Sequence, residues 1–345
     1  LFTRICLLDS DRVLARKSGE QNMDLTTEVD VEGMSEDGTV PQREARPIHG
    51  APRGTWPQVG TYLFILGPFL ALIAAVPLTW GWGLGWLDIG LAALFYTGTC
   101  LGVTVGFHRY FTHRAFKATR GLRVGLAIVG SMALQGPITH WVADHRRHHA
   151  FSDRDGDPHS PWAFGTGPIA LAKGFWHAHM GWLFDRNLTN AERFAPDLLA
   201  DRDIVRVHRQ FGLWTAVTLL APAVLGGLIS WSLWGAVTAF FWAGLVRVSL
   251  LHHVTWSVNS ICHMIGSRPF AARDRSANFW PLAILSMGES WHNLHHADPT
   301  CARHGVKRGQ IDVSARLIWF LEKFGWAHDV RWPTQKRLTS LAARR

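Results

Sequence analysis

Four stretches of this chain are too long and too apolar for an ordinary water-soluble fold. Residues 61–80 and 213–231 carry no charge, 85–106 carry only Asp88, and 233–251 carry only Arg247. A helix needs about 20 mostly apolar residues to cross a bilayer, so the pattern predicts an all-α integral membrane protein with four spanning helices in two hairpins. The hairpin joints are short and hold Trp80, Trp82 and Trp86 in one case and Trp231 and Trp234 in the other. Trp favours the membrane–water boundary. A fifth apolar run, 121–138, fits an interfacial helix better than a span. If it crossed, the His-rich segments before and after it would face opposite sides of the membrane. Arg109, Arg114, Lys117, Arg120 and Arg123 follow the second span, while the hairpin joints hold no Lys or Arg. That asymmetry predicts that the His-rich face and both termini are cytoplasmic.

Charge and cysteine narrow the classes further. Charged residues are 18% of the chain, against about a quarter in a typical soluble domain, which excludes disorder for its bulk. Residues 1–58 hold seven Arg/Lys and ten Asp/Glu, a net −3; the whole chain is +9, so residues 59–345 carry +12. The first 58 residues are polar, Gly- and Pro-punctuated and without apolar periodicity, which predicts a disordered tail. They show no charged-then-apolar leader, so secretion is not expected; the chain opens on Leu1, with Met23 and Met34 as alternative starts. The body is read as 59–335, with 336–345 as a basic C-terminal tail. A basic body could meet nucleic acid, an anionic membrane or an acidic substrate. The apolar runs, with no nucleic-acid-binding pattern beside them, select the membrane. Cys6, Cys100, Cys262 and Cys301 form no CxxC pair, which argues against a disulfide scaffold, a zinc ribbon or a ferredoxin-type cluster.

Nineteen histidines remain to be explained. Three clusters stand out: His108 and His113 after the second span, His145, His148 and His149 before the third, and His292, His295 and His296 after the fourth. In a helix, spacings of three and four place side chains on one face. His108 and His113 would stand about 140° apart on an ideal α-helix, so they need a bent helix end or two different metals. Eight imidazoles are too many for one ion and suit two. Imidazole serves Zn, Cu, Fe and Ni. Carboxylates are scarce within the clusters, which disfavours a carboxylate-bridged di-iron bundle. Asp144 and Glu289 flank the clusters; they are either acceptors for the other ring nitrogens or surface charges.

The ordered strings Gly106-Phe-His108-Arg-Tyr-Phe-Thr-His113-Arg, Trp141-Val-Ala-Asp144-His145-Arg-Arg-His148-His149 and Gly288-Glu-Ser-Trp-His292-Asn-Leu-His295-His296 resemble the membrane fatty acid desaturase family. So does Thr255-Trp256-Ser-Val-Asn259-Ser-Ile-Cys-His263. The likeness covers roughly residues 58–330 and is nearest to delta-9 acyl-CoA desaturases of the stearoyl-CoA type, with wording in the second string and in Asp153–Pro161 that looks bacterial. By position, the resemblance implies nine metal-binding histidines: His108, His113, His145, His148, His149, His263, His292, His295 and His296. Asn259 would contact one metal through water. It also implies two iron ions, O2 as co-substrate, and removal of two hydrogens from adjacent carbons of a saturated long-chain acyl group, with release of two waters. A bacterial plasma-membrane location follows from the same likeness.

The chemistry agrees with that implication, because an unactivated CH2–CH2 bond offers no acidic proton and no leaving group, and needs a metal–oxygen oxidant. An apolar tunnel could count carbons from a fixed headgroup. Lys117, Arg120, Lys173, Lys307 and Arg308 are candidates for holding an anionic acyl-CoA headgroup, or equally lipid phosphates. After His296 only 49 residues remain, short of a further domain, so a ferredoxin, cytochrome or flavin reductase must deliver electrons from outside. Competing readings are an acyl-lipid desaturase or an acyl or alkane hydroxylase on the same scaffold, and, from another class, a membrane metal-binding or transport protein. Transporters place their ligands at mid-bilayer, whereas these clusters lie beyond the spans. Asp153-Arg-Asp155-Gly-Asp157 lacks the late Glu of a calcium loop and is read as a turn that could orient the second cluster. His252 and His253 are read as structural, and His177 and His179 as surface or substrate-path residues. Arg247 should face the bundle interior, with Asp88 as a possible partner.

Overall fold

The computed structural model describes residues 46–79 and 83–342. The expected tail therefore lies largely outside the described residues, as do Trp80 and Trp82. Regular structure is already present among the described residues 46–58. Strand β1 (His49–Pro52) pairs antiparallel with a later strand at Asn187–Thr189, and helix α1 (Thr55–Thr79) begins at once. A strand of four residues has little pattern of its own; its partner, 135 to 140 positions away, supplies the hydrogen bonds that fix it.

Four helices are long and apolar enough to cross a membrane: Thr55–Leu78 within α1, α2 (Trp86–Thr112), and two that form the second hairpin, Phe211–Ser230 and Leu233–His263. The third matches its apolar run closely, and the first begins six residues before its run. The other two overrun theirs at the C-terminal end, by six residues in α2 and twelve in the last helix, because the polar, His-bearing continuation stays helical once outside the bilayer. The boundary tryptophans sit where expected, Trp86 at 88% and Trp231 at 91% exposed. The fifth run folds as α3 (Arg120–Ser131), shorter than predicted and ended by a turn before α4 (Ile138–Phe151). It lies against α2 so closely that a Cβ on Gly102 would come within 2.5 Å of the Gly130 backbone nitrogen.

Between the hairpins the chain builds a helical cap. It comprises α5 (Pro168–His179), strand β3 (Asn187–Thr189), the short helices α6 (Ala191–Phe194) and α7 (Pro196–Ala200), and α8 (Arg202–Arg209). The second hairpin follows as α9 (Phe211–Ser230) and α10 (Leu233–His263). The C-terminal part adds α11 (His292–Ala297), α12 (Val313–Lys323), β4 (Ala327–His328) and α13 (Gln335–Leu341). β4 pairs with β2 (Lys117–Ala118). Helix α13 replaces most of the expected basic tail. It is docked rather than loose: Arg337 bonds Asp298, and the Leu341 carbonyl accepts from Ala271 N–H. The cap core gathers Phe107, Phe111, Ile138, Val142, Ile204, Ile318 and Leu321 beneath the spanning bundle.

Arg247 is almost fully buried inside the bundle, but its partner is not Asp88. Asp88 instead accepts the Gly85 N–H and caps α2. Pro222 in α9 has no N–H, which leaves the Thr218 carbonyl without its helical donor. The Arg247 guanidinium donates to that carbonyl at 3.0 Å, to Thr218 Oγ1 at 3.0 Å and to its own Ala243 carbonyl at 2.9 Å. A kinked helix thus offers the acceptors that make a buried cation tolerable.

Candidate metal centre

Helix geometry at the end of α2 resolves the problem of the His108/His113 spacing. Residues Gly102–Thr112 form a π-helical turn, and the His113 amide donates to the His108 carbonyl at 3.1 Å. A bond from i+5 to i stacks residues five apart, so both imidazoles project from one face. In α4, His145, His148 and His149 share a face as the spacing predicts. His292, His295 and His296 do the same in α11. His263 ends α10, one turn after Asn259.

The fold gathers these side chains into two groups. His108, His113, His145, His149 and His295 converge with one nitrogen each within 4.8 Å of the others; His148, His263, His292 and His296 form the second such group. Within the first, the Nε2 atoms of His108 and His295 are 3.0 Å apart, and those of His295 and His149 are 2.9 Å apart. Within the second, His292 Nε2 lies 3.1 Å from that of His263 and 2.9 Å from that of His296. Asn259 borders the adjoining cavity beside His292. All nine histidines of the expected set are therefore at the two groups.

Carboxylates fix the rings from behind. Nδ1 of His108 faces Glu289 at 2.6 Å, that of His148 faces Asp157 at 2.9 Å, that of His263 faces Asp153 at 3.0 Å, and that of His296 faces Asp274 at 2.6 Å. Glu289 is itself held by Arg109, which is fully buried and also bonds Asp312 and the Ala302 carbonyl. Burial alone would raise these acids. The facing imidazoles outweigh it and hold Glu289, Asp153, Asp157 and Asp274 below the usual carboxylate range.

Does this donor set suit metal ions? Burial first, and neighbouring imidazoles second, hold His113, His145, His149, His292, His295 and His296 well below the ordinary histidine range. They are neutral at pH 7, with lone pairs available. Nδ1 of His263 and of His296 each faces a carboxylate, and both rings turn Nε2 toward His292 Nε2. One proton there could serve only one of them, and His113 Nε2 is buried with no hydrogen-bond partner. A cation in each group satisfies all of these atoms. Two ligands at right angles, each about 2.1 Å from one ion, stand about 3 Å apart, the separation found here. The clusters fit a dimetal site.

Other residues fall differently from expectation. Asp144 touches no imidazole of the centre. It lines the cavity with Arg53 and Arg147, and burial pushes it up to about 6 against the pull of Thr189 and those arginines. None of Lys117, Arg120, Lys173, Lys307 and Arg308 borders the large cavity. Lys117 is paired with Asp329 and Arg120 with Asp203 on the surface, while Lys307 and Arg308 line a separate shallow groove. Their positions in sequence carried no information about which side of the cap they face. The Asp153–Asp157 turn does orient the second cluster, by way of His148. His252 is structural, its Nε2 bonded to the Ala133 carbonyl at 3.1 Å; His179 bridges His253 and Ser260. His177 does border the cavity.

Sequence reasoning missed His304, Asp274 and His159. His304 is buried with its ring 4.6 Å from that of His295 and its Nδ1 3.3 Å from Arg109. His159 stacks on His148 at 4.2 Å. Each arrives from a loop, where no periodicity marks it.

The centre opens on a cavity of about 1500 Å3, larger than the roughly 300–1,000 Å3 of most ligand pockets. Its lining includes Arg46, Arg53, Asn190, Glu192 and Arg209, the imidazoles of His108, His145 and His292, and Cys100, Val103, Leu134 and Ser286. Cys100 lies eight residues before His108 on α2, about two helical turns away. Beside the centre, Gln135 donates to Thr255 Oγ1 at 2.8 Å and accepts from Trp141 Nε1 at 3.2 Å.

Comparison with known proteins agrees with this geometry. Residues 84–313 match the family profile described as fatty acid desaturase. The chain is 42% identical over 278 residues to a hex-5-enoyl-[acyl-carrier protein] acetylenase of Moorena producens (strain JHB), covering 80% of this chain and 87% of that protein. It is 36% identical to an sn-1 stearoyl-lipid 9-desaturase of Anabaena variabilis, covering 82% and 98% of the two chains, and 35% identical to an acyl-CoA 5-desaturase of Anemone leveillei, covering 79% and 80%. With four membrane-length helices, two buried groups of imidazoles and a long cavity between them, this chain belongs to the membrane fatty acid desaturase family.

Proposed function

We propose that this chain desaturates a saturated long-chain fatty acyl group, delivered as acyl-CoA, at the delta-9 position, with two iron ions held by the nine histidines and Asn259 beside the second group. The single observation that carries the reading is the cavity, which is lined by imidazoles of both groups and also by Cys100 and Val103, further along the membrane-spanning α2. When bound, the two irons supply the power to activate O2, with two electrons from an external carrier, against an unactivated CH2–CH2 bond.

The chain's own residues do the rest. Glu289, Asp157, Asp153 and Asp274 keep the rings turned with Nε2 inward, and Arg109 keeps Glu289 in place. The cavity walls exclude water from the acyl chain and hold one pair of methylenes against the centre; neighbouring methylenes differ too little for binding energy alone to select among them. The hydrogen-bonded trio of Gln135, Thr255 and Trp141 gives that stretch of wall a fixed shape. Arg46, Arg53, Arg147 and Arg209 border the cavity and replace the earlier lysine and arginine candidates as partners for an anionic headgroup. This reading puts the His-bearing face and both termini in the cytoplasm, where acyl-CoA and an electron donor reside; it is supported by the basic residues that follow the second span.

A second reading, an acyl chain esterified in a membrane lipid, is favoured by the name of the Anabaena variabilis relative. The test is reaction of the purified, iron-loaded protein with a ferredoxin reductase system and three substrates: stearoyl-CoA, stearoyl-[acyl-carrier protein] and stearoyl phosphatidylcholine. Oleoyl product from stearoyl-CoA alone is expected. Turnover confined to another carrier refutes the acyl-CoA reading, and a hydroxylated product moves the chain to the hydroxylase reading.

A further inference from the structure

One apolar segment outside the four spanning helices has no place in an aqueous cap. Trp280, Ile284 and Leu285 are 75%, 63% and 51% exposed, in a stretch (WPLAILSM, 280–287) without a charged residue. In water such a cluster would be a liability. Its position relative to α2 indicates its solvent. The Leu285 carbonyl accepts from Tyr96 Oη at 2.8 Å and from Cys100 Sγ at 3.8 Å. Tyr96 and Cys100 lie ten and fourteen residues past Trp86, roughly 15 and 21 Å along the helix at 1.5 Å per residue. With Trp86 at the far boundary, both levels fall inside a hydrocarbon core of about 30 Å.

We propose that residues 280–287 form a re-entrant lip sunk into the leaflet on the histidine side, its outer edge against lipid acyl chains and its inner edge walling the cavity. Non-helical backbone at membrane depth is tolerated only where its polar groups are satisfied within the protein. Here they are. The amides of Leu282, Ala283, Ser286, Met287 and Gly288 donate to carbonyls three to five residues earlier, and α2 takes up the Leu285 carbonyl. The outer edge continues the lipid-facing surface of α2. On the inner edge Ser286 lines the cavity, so one thickness of chain separates the bilayer from the cavity. The placement of the lip depends on the spanning helices and not on the reaction.

Spin labelling in phosphatidylcholine/phosphatidylglycerol vesicles tests the lip. Cys100, Cys262 and Cys301 are buried, so a Cys6→Ser background leaves the introduced thiols as the reactive ones. Nitroxides go on Ile284→Cys and, in a separate protein, on Trp280→Cys. References are Leu94→Cys on the exposed face of α2 and Lys307→Cys on a cap loop. Relaxation by O2 and by a water-soluble nickel chelate gives the depth of each. Labels at 284 and 280 with depth values nearer to that of Leu94 are expected. Values nearer to that of Lys307 overturn the lip, and an aqueous label at Leu94 overturns the spanning arrangement on which it depends.

Discussion

At the scale of single residues, the carboxylates behind the imidazoles decide what the centre can hold. Asp157, Asp153 and Asp274 bond Nδ1 of His148, His263 and His296, and Glu289 faces that of His108, which leaves Nε2 toward the ligand position; such outer partners are commonly worth ten- to hundredfold in metal affinity. Asp157→Asn removes the charge behind His148 while keeping the shape of the side chain. Iron affinity measured by chelator competition should fall roughly ten- to hundredfold with the fold retained; unchanged affinity would show that Asp157 is not positioning that ring. The same side chains set the pH response of the metal-free protein. Six of the buried histidines, His113, His145, His149, His292, His295 and His296, lie below their unfolded value, chiefly through burial, so at these positions the unfolded chain binds more protons below about pH 6.5. The carboxylates, also depressed, add a contribution that is lost as pH falls through the acid range below about 4. These two terms have one sign. Melting temperature of the metal-free protein should drop steadily as pH is lowered from 7.5 to 5; a flat or rising profile would contradict neutral buried imidazoles.

Elements carry these residues to their places. Gly288 has φ +101°, and a Cβ there would meet Asp312 Oδ1 at 2.6 Å. The turn it allows delivers Glu289 to His108 and opens onto α11. Gly288→Ala should destabilise the protein by roughly 1–3 kcal/mol, read as a lowered melting temperature, together with weaker metal retention; wild-type values for both would remove the turn from the account. Much of the element layout was legible in the sequence, because helices that cross a membrane announce themselves by length and charge. The histidine clusters were legible because spacings of three and four mean one face. The π-helical turn at Gly102–Thr112 was not, since it depends on the packing of α2 against α3 through Gly102 and Gly130, and pairwise contact leaves no periodic mark. Asp274 and His304 were hidden for a similar reason: loops bring them in, and a loop's path is set by tertiary contacts. The N-terminal strand, the docked α13 and the buried bonds of Arg247 likewise rest on partners far away in the chain.

The whole molecule places a buried, charge-braced pair of metal sites at one end of a membrane bundle and threads a long cavity past them. Chain-wide charge pointed to a basic face for an anionic headgroup, but Lys117, Arg120, Lys173, Lys307 and Arg308, all within the net +12, stand away from the cavity. Its bordering arginines come from the segment before β1, the loop after it, α4 and α8, elements that converge only in the fold. The central claim is that this arrangement introduces a double bond into an acyl chain. The most direct test is the fatty-acid profile, by gas chromatography and mass spectrometry, of a host lacking its own desaturase and supplied with a compatible reductase. The account predicts a new monounsaturated chain with its double bond at carbon 9, absent when His148→Ala replaces the native protein although that variant still inserts in the membrane. An unsaturated product made equally well by His148→Ala would contradict it.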